Sequence, residues 1–253
     1  MERGTYAAAS AGIAQLAKIQ VVTHNLANVD TPGYKRQALI GDTQTFEETL
    51  AARIAGNDPY ARGDHERTPG ISSVKTVIDF SQGPVQTTGN PFDVALAREN
   101  DFFVVQAADG PRYTRAGNFT LNTDGEIVTQ DGLQVLSDEG EIVVTPGGVA
   151  KFEANGALSV DDQEIGKLQT VHFEDTSGLV PDGGSRFKLQ DGSPQPVSAV
   201  TQVIPGAVEA SNVSAINSII DLITTNRGFE QYTKAASSID ALNRLAVSQL
   251  GRE

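Results

Sequence analysis

His24-Asn25-Leu26-Ala27-Asn28-Val29-Asp30-Thr31-Pro32-Gly33-Tyr34-Lys35-Arg36 closes a helix-patterned stretch that begins near Thr5. Its counterpart, Glu209-Ala210-Ser211-Asn212-Val213, opens a second helical pattern that runs almost to Glu253. In the first stretch, Ile13, Leu16, Ile19, Val22, Leu26 and Val29 recur at steps of three and four, the spacing of one helix face. Ala7, Ala8, Ala9, Ala11, Ala14 and Ala17 are small enough to let another helix approach closely. Pro32 then disfavours helical geometry at Thr31, and Gly33 permits the turn. A chain with an amphipathic helix at each end is built to pair its ends and stack, which points to a polymer subunit.

The second helix carries Ile219, Leu222, Phe229, Tyr232, Ala236, Ile239, Ala246 and Leu250 on a seven-residue stripe, interrupted by Asn226 and Asn243. Ile216, Ile220 and Ile223 widen its apolar face, and Ser211 or Asn212 is placed to cap its start. A helix over Val213–Leu250 would be about 57 Å long at 1.5 Å per residue, so part of it needs partners outside its own β domain, either the N-terminal helix or another molecule.

Between the helices the period changes. Val74, Thr76, Ile78 and Phe80 alternate with more polar neighbours, as do Phe92, Val94 and Leu96. Asp109-Gly110, Asp124-Gly125, Asp131-Gly132, Glu139-Gly140, Asn155-Gly156 and Asp191-Gly192 supply tight-turn signals at short spacing. The expected class is α+β: an antiparallel all-β central domain flanked by long N- and C-terminal helices that pair as a coiled coil. The corresponding divisions are 1–36 (helix and assembly motif), 37–72 (irregular connection), 73–205 (β domain) and 206–253 (helix). A short helix over Phe46–Ile54 fits within the connection, between it and the breakers Gly56-Asn57-Asp58-Pro59 and Thr68-Pro69-Gly70.

Composition narrows the function classes. At 253 residues the chain can bury a proper core, and its formal charge of −13 disfavours phosphate backbones and anionic lipid. No nucleic acid and no membrane insertion are therefore expected. Neither a secretory signal pattern nor an apolar run of about 20 residues is present in the sequence, so any export would use a dedicated machine. The absence of Cys excludes disulfides and thiolate metal sites.

The search for chemistry yields no catalytic, cofactor or metal assignment. His24, His65 and His172 stand far apart, with no metal-ligand spacing among them. Asn122-Thr123-Asp124-Gly125-Glu126 has part of a calcium loop's character but lacks its oxygen spacing, and reads as a hairpin turn. Arg62-Gly63-Asp64 and the sequon Asn118-Phe119-Thr120 are short enough to arise by chance. No nucleophile elbow, phosphate loop or dinucleotide fingerprint occurs.

Four blocks in order carry a resemblance across most of the chain. They are Asn25-Leu26-Ala27-Asn28-Val29 with Thr31-Pro32-Gly33-Tyr34-Lys35-Arg36; Thr88-Gly89-Asn90-Pro91-Phe92-Asp93-Val94-Ala95-Leu96; Tyr113-Thr114-Arg115-Ala116-Gly117-Asn118-Phe119; and Glu209-Ala210-Ser211-Asn212-Val213 with Arg227-Gly228-Phe229-Glu230. Together they resemble the bacterial flagellar basal-body rod and hook proteins, the proximal-rod branch first and the distal-rod branch next. Where distal-type members usually have Gly-x-Gly before a Phe pair, this chain has Arg98-Glu99-Asn100-Asp101 before Phe102-Phe103.

The resemblance implies a structural, non-enzymatic subunit of the periplasmic rod, exported by the flagellar apparatus without a cleaved signal. Its implied partners are its own copies and other rod proteins. It also implies that Asn25, Asn28, Thr31, Gly33, Tyr34, Lys35, Ser211, Asn212, Val213 and Arg227 are motif residues. The helix pattern itself adds Ile19, Val22, Leu26, Val29, Ile219, Leu222, Phe229, Tyr232 and Ile239 as an assembly seam. Such helices are marginal alone in water and gain order from a partner. A secreted β-domain binding protein, which needs a concave aromatic-lined surface, and a cell-wall hydrolase, which needs a paired carboxylate in a cleft, are the competing classes; with Trp absent and only five Tyr, neither is well supported.

Overall fold

A computed structural model describes residues 2–43, 71–138, 142–144, 150–161, 163–198 and 202–250. Its two helices are α1, Glu2–Ala27, and α2, Ala215–Leu250. α1 ends three residues before Asp30-Thr31-Pro32, so Val29 lies in the following turn and not on the helix. Thr31 closes that turn, its N–H bonding to the Asn28 carbonyl at 3.2 Å. Ser211 and Asn212 do not cap α2, which starts at Ala215; the preceding position is held by Ser214.

The irregular connection expected over 37–72 contains a strand. β1 (Gln37–Thr43) pairs antiparallel with β2 (Ile71–Ile78), from Gln37↔Ile78 to Thr43↔Ile71. Gln37-Ala38-Leu39-Ile40 gives only a weak period-two signal, because its first residue is polar and Gly41 interrupts the strand. The helix expected over Phe46–Ile54, the breakers at 56–59 and 68–70, and Arg62-Gly63-Asp64 lie outside the described residues.

The remaining strands are short, and every pairing among the described ones is antiparallel. In chain order they begin with β3 (Val85–Thr87), β4 (Val94–Leu96), β5 (Asp101–Ala107), β6 (Gly110–Thr114), β7 (Thr120–Leu121), β8 (Ile127–Val128) and β9 (Gln134–Val135). After them come β10 (Ala150–Phe152), β11 (Ala157–Val160), β12 (Gln163–Lys167), β13 (Thr170–His172), β14 (Leu179–Pro181) and β15 (Arg186–Leu189). The last are β16 (Val197–Ser198), β17 (Val203–Pro205) and β18 (Ala207–Glu209). The main sheet runs β14-β15-β6-β5-β9-β8-β7, with β13 joining β5 and β16. Two small ladders, β17–β4 and β18–β3, bring the end of this region back to its beginning.

Five of the six turn signals form as their chemistry requires, with positive φ at Gly110, Gly125, Gly132, Gly156 and Gly192; Glu139-Gly140 lies outside the described residues. The stretch resembling a calcium loop is one of them. Asn122 Oδ1 accepts from the backbone N–H of Asp124 and of Glu126, both at 2.9 Å, which closes a turn between β7 and β8.

β5 is the centre of the core and is buried on both faces. Phe103 and Val105 point into a cluster with Val94, Leu96, Phe119, Ile127 and Leu158, and Phe103 meets Phe119 edge-on at 5.2 Å. Phe102 points the other way, into Phe80, Phe173 and Phe187 at 5.5–6.0 Å. Two-sided burial explains why Asp101-Phe102-Phe103-Val104-Val105 lacks polar alternation.

By contact density the chain divides into two units. One holds residues 1–26, 37–78 and 215–253; the other holds 27–36 and 79–214. Within the first, Gln15 on α1 lies against Gly228 on α2: a Cβ at Gly228 would sit 3.6–3.7 Å from the end of its side chain. Asn25, 5% exposed, ties the end of α1 to β1 by a two-way amide pair. Its Nδ2 donates to the Gln37 carbonyl at 2.7 Å, and its Oδ1 accepts from the Gln37 N–H at 2.9 Å.

Candidate functional site: a buried junction of the four motifs

Three glycines let the motif blocks touch backbone to backbone. A Cβ on Gly33, which has φ +68°, would lie 2.2 Å from the Ala116 nitrogen; one on Gly83 would lie 2.0 Å from the Ala210 oxygen. The third is Gly117, whose Cβ would lie 1.6 Å from the Val94 oxygen. The N-terminal motif therefore presses on the third block, the third on the second, and the C-terminal motif on the segment before β3.

Into this junction the chain puts three charges, each side chain only 1% exposed. Lys35 Nζ donates to Glu209 Oε1 at 2.7 Å and to the Ser81 carbonyl at 2.6 Å. Arg115 Nε donates to Glu209 Oε2 at 2.7 Å, and its Nη2 lies 2.5 Å from the same oxygen without hydrogen-bond alignment. Arg115 Nη1 donates to the carbonyls of Arg98 and Asp101, both at 2.7 Å. Beneath the guanidinium lies the Phe102 ring, 5.9 Å from its centroid. Glu209 completes the set: its Oε1 also accepts the Gly83 N–H at 2.9 Å, and its backbone carbonyl accepts the Gly33 N–H at 2.8 Å. Burial pulls the Lys35 ammonium below the usual lysine range, against the pull of Glu209 in the other direction.

Further hydrogen bonds join the motif blocks to one another and to the segment before β3, or brace them internally. Asn212 Oδ1 accepts the Arg36 N–H at 2.7 Å, and its Nδ2 donates to the carbonyls of Asp79 at 2.8 Å and Ser81 at 3.0 Å. Ser211 Oγ accepts the Val213 N–H at 3.2 Å, and Ser185 Oγ donates to the Pro32 carbonyl at 2.9 Å. In the second block, Thr88 Oγ1 donates to Asp93 Oδ2 at 2.6 Å and Asn90 Nδ2 donates to Asp93 Oδ1 at 2.9 Å. Gly206 fastens that turn by donating to the Asp93 carbonyl at 2.8 Å.

Gly33, Tyr34, Lys35, Ser211, Asn212 and Val213 are all members of this junction or lie beside it, and Thr31 Oγ1 bonds Asn28 Oδ1 at 3.2 Å just before it. Arg227 stands apart, exposed on α2. Of the helix residues, Val22 is buried; Ile19, Leu26, Leu222, Phe229 and Ile239 are half-buried; Ile219 and Tyr232 are exposed. Among the α2 residues whose burial is described, the buried positions are Ser218 and Thr225, in step with Leu222 and Phe229. The charge partners Arg115 and Glu209 were not singled out as site residues, because they lie 94 residues apart and no local pattern pairs them. His172 and the fully buried Asp101, paired at 2.6 Å, were missed for the same reason. Among the described residues no group of three or more His, Cys, Asp or Glu is placed to hold a metal ion. No described helix is long and apolar enough to cross a membrane.

Burial also marks the junction in its titration, pushing the Tyr34 phenol up from 10.0 to about 12. A raised native value means that Tyr34 supports the fold fully below about pH 10 and loses that support as pH climbs toward 12. Lys35, with its native value lowered, acts in the opposite sense and favours the fold as pH rises past that value toward the ordinary lysine range. We expect Tyr34→Phe to flatten the loss of stability between about pH 10 and 12, measured as urea midpoints across that range. An unchanged slope would assign the alkaline loss to other groups.

Comparison with known proteins gives a consistent picture over the full length. Residues 6–35 match the family described as flagella basal body rod protein, residues 98–171 the flagellar hook protein FlgE/F/G D1 domain, and residues 204–249 the flagellar basal body rod FlgEFG protein C-terminal region. The chain is 32% identical to the flagellar basal-body rod protein FlgF of Caulobacter vibrioides, covering 100% of this chain and 99% of that one. It is 30% identical to FlgG of Agrobacterium fabrum, over 94% and 95% of the two chains, and 30% identical to FlgG of Bacillus subtilis, over 89% and 90%. A junction assembled from both ends and the middle, within a sequence matched from end to end, places the chain in the FlgE/F/G family of flagellar rod and hook proteins.

Proposed function

We propose that this chain is a structural subunit of the bacterial flagellar basal-body rod, polymerising through its terminal helices and carrying no catalytic activity. Its partners are further copies of itself and other rod proteins, and it reaches them through the flagellar export apparatus. One observation carries the polymer reading: α2 turns small polar residues inward and isoleucines outward. Ser218 and Thr225 are 7% and 3% exposed, whereas Ile216, Ile219, Ile220 and Ile223 are 46–72% exposed. α1 likewise leaves Ile13 68% and Leu16 44% exposed. Contiguous apolar faces of this kind mark surfaces that another molecule covers.

Charge selects a second copy as the cover. α1 holds one acid (Glu2) and two bases (Arg3, Lys18), and α2 three of each, so the helices carry +1 and the rest of the chain −14 of the net −13. The net negative charge that makes copies repel one another is therefore carried by the rest of the chain and not by the helices. Head-to-tail contact of unlike faces that does not close into a ring generates a rod. Coiled-coil pairing of α1 with α2 within one chain, through Val22, Leu222 and Phe229, is part of the same reading, supported by the Gln15–Gly228 contact. The independently folding piece is then residues 27–36 with 79–214, somewhat wider than 73–205.

A position in the proximal rod is favoured by Glu99-Asn100-Asp101. Asn100 takes φ +60°, so this stretch makes its left-handed turn without the Gly-x-Gly that distal-type members usually have before the Phe pair.

Ile216→Asp/Ile220→Asp tests the reading cleanly, because both side chains face solvent in the single chain. Half-buried Leu26 or Phe229 would confound folding with assembly. The double variant should match wild-type far-ultraviolet circular dichroism and thermal midpoint, yet fail to polymerise and leave cells non-motile. Normal swimming by cells carrying it would refute helix-driven assembly.

A further inference from the structure

Glu209 bonds the N-terminal, central and pre-β3 segments at once. Its side chain and carbonyl accept from Lys35 Nζ, Arg115 Nε, Gly83 N–H and Gly33 N–H. Lys35 lies 174 residues away and Arg115 lies 94 away. Asp101, the nearest buried carboxylate in sequence to Arg115, faces His172 instead.

We propose that Glu209 is a completeness latch: the segment Gly33–Arg36 docks on the β unit only once the chain is folded through Glu209. Until that carboxylate arrives, Lys35 and Arg115 would be two neighbouring buried cations with backbone carbonyls as their remaining acceptors. Removing one member of a buried ion cluster leaves an uncompensated charge and is strongly unfavourable, whereas removing the orphaned charge as well restores much of the loss. The N-terminal motif therefore stays undocked in any chain whose C-terminal motif has not folded. This coupling stands independently of the rod assignment, since every contact lies within one chain.

Hydrogen exchange on the full-length chain tests it, comparing wild type, Glu209→Gln and Glu209→Gln/Lys35→Met. Gln keeps the shape and an acceptor oxygen but loses the charge. In Glu209→Gln, the amides of residues 33–36 and of Gly83 should exchange roughly 100-fold faster or more, while Phe103–Val105 in β5 stay within about tenfold of wild type. Adding Lys35→Met should recover at least about tenfold of the protection at the 33–36 segment. Wild-type protection at 33–36 in Glu209→Gln would overturn the latch. So would equal loss in β5, which makes Glu209 an ordinary core residue, or no recovery on adding Lys35→Met, which removes charge as the link.

Discussion

Gly117→Ala is expected to destabilise the β unit by about 3 kcal/mol, at the upper end for a single added methyl group. The new Cβ would lie 1.6 Å from the Val94 carbonyl oxygen, 2.8 Å from its carbon and 3.3 Å from Phe103 Cε2. No rotamer relieves a clash with backbone, so β4 must separate from the third motif block. That breaks the 2.9 Å bond from the Val94 N–H to the Gly117 carbonyl and opens the cluster around Phe103. Gly12→Ala on α1 is the control: nothing lies within 4 Å of its added methyl. Alanine's helix propensity should then raise local helix stability by roughly 0.5–1 kcal/mol. Urea unfolding followed by circular dichroism measures both, since the chain has no Trp. A Gly117→Ala midpoint within error of wild type would show that β4 and the motif block are not held together.

Arg115→Ala should cost about 3–5 kcal/mol. The loss is not mainly of attraction to Glu209, because Lys35 remains to neutralise that carboxylate at 2.7 Å. It comes from the buried carbonyls of Arg98 and Asp101, which lose the Nη1 donor, and from the volume left above Phe102. Arg115→Lys separates these contributions. One ammonium keeps the charge but cannot span Glu209 Oε2 and two carbonyls as a planar guanidinium does, so roughly half the loss should remain. Equal stability of the Lys variant and wild type would mean that charge alone matters.

The terminal helices were legible because a 3.6-residue period repeats over many turns, and the β region because Asx-Gly turns have one purpose. β1 was not, since Gln37–Thr43 is stabilised by a partner more than 25 residues on and not by its own pattern. The motif residues were found as a set, but their use was not. Asn212 reads as a helix cap by sequence, yet its amide is spent on Arg36, Asp79 and Ser81, contacts that only tertiary structure creates. The seam residues show the same gap. Heptad spacing gives a helix's phase, but Ile219 and Leu222 fall on different sides of the inward face, and only three dimensions separate them.

The pairing of Gly33 with Glu209 turns everything between them into a closed excursion that leaves and returns at one point. The entropy of closing such a loop grows only logarithmically, so doubling its length would cost about 0.6 kcal/mol. Residues added at an exposed turn such as Asp191-Gly192 would leave the exit and re-entry of the backbone where they are. Subunits of quite different bulk could thus keep one and the same motif junction.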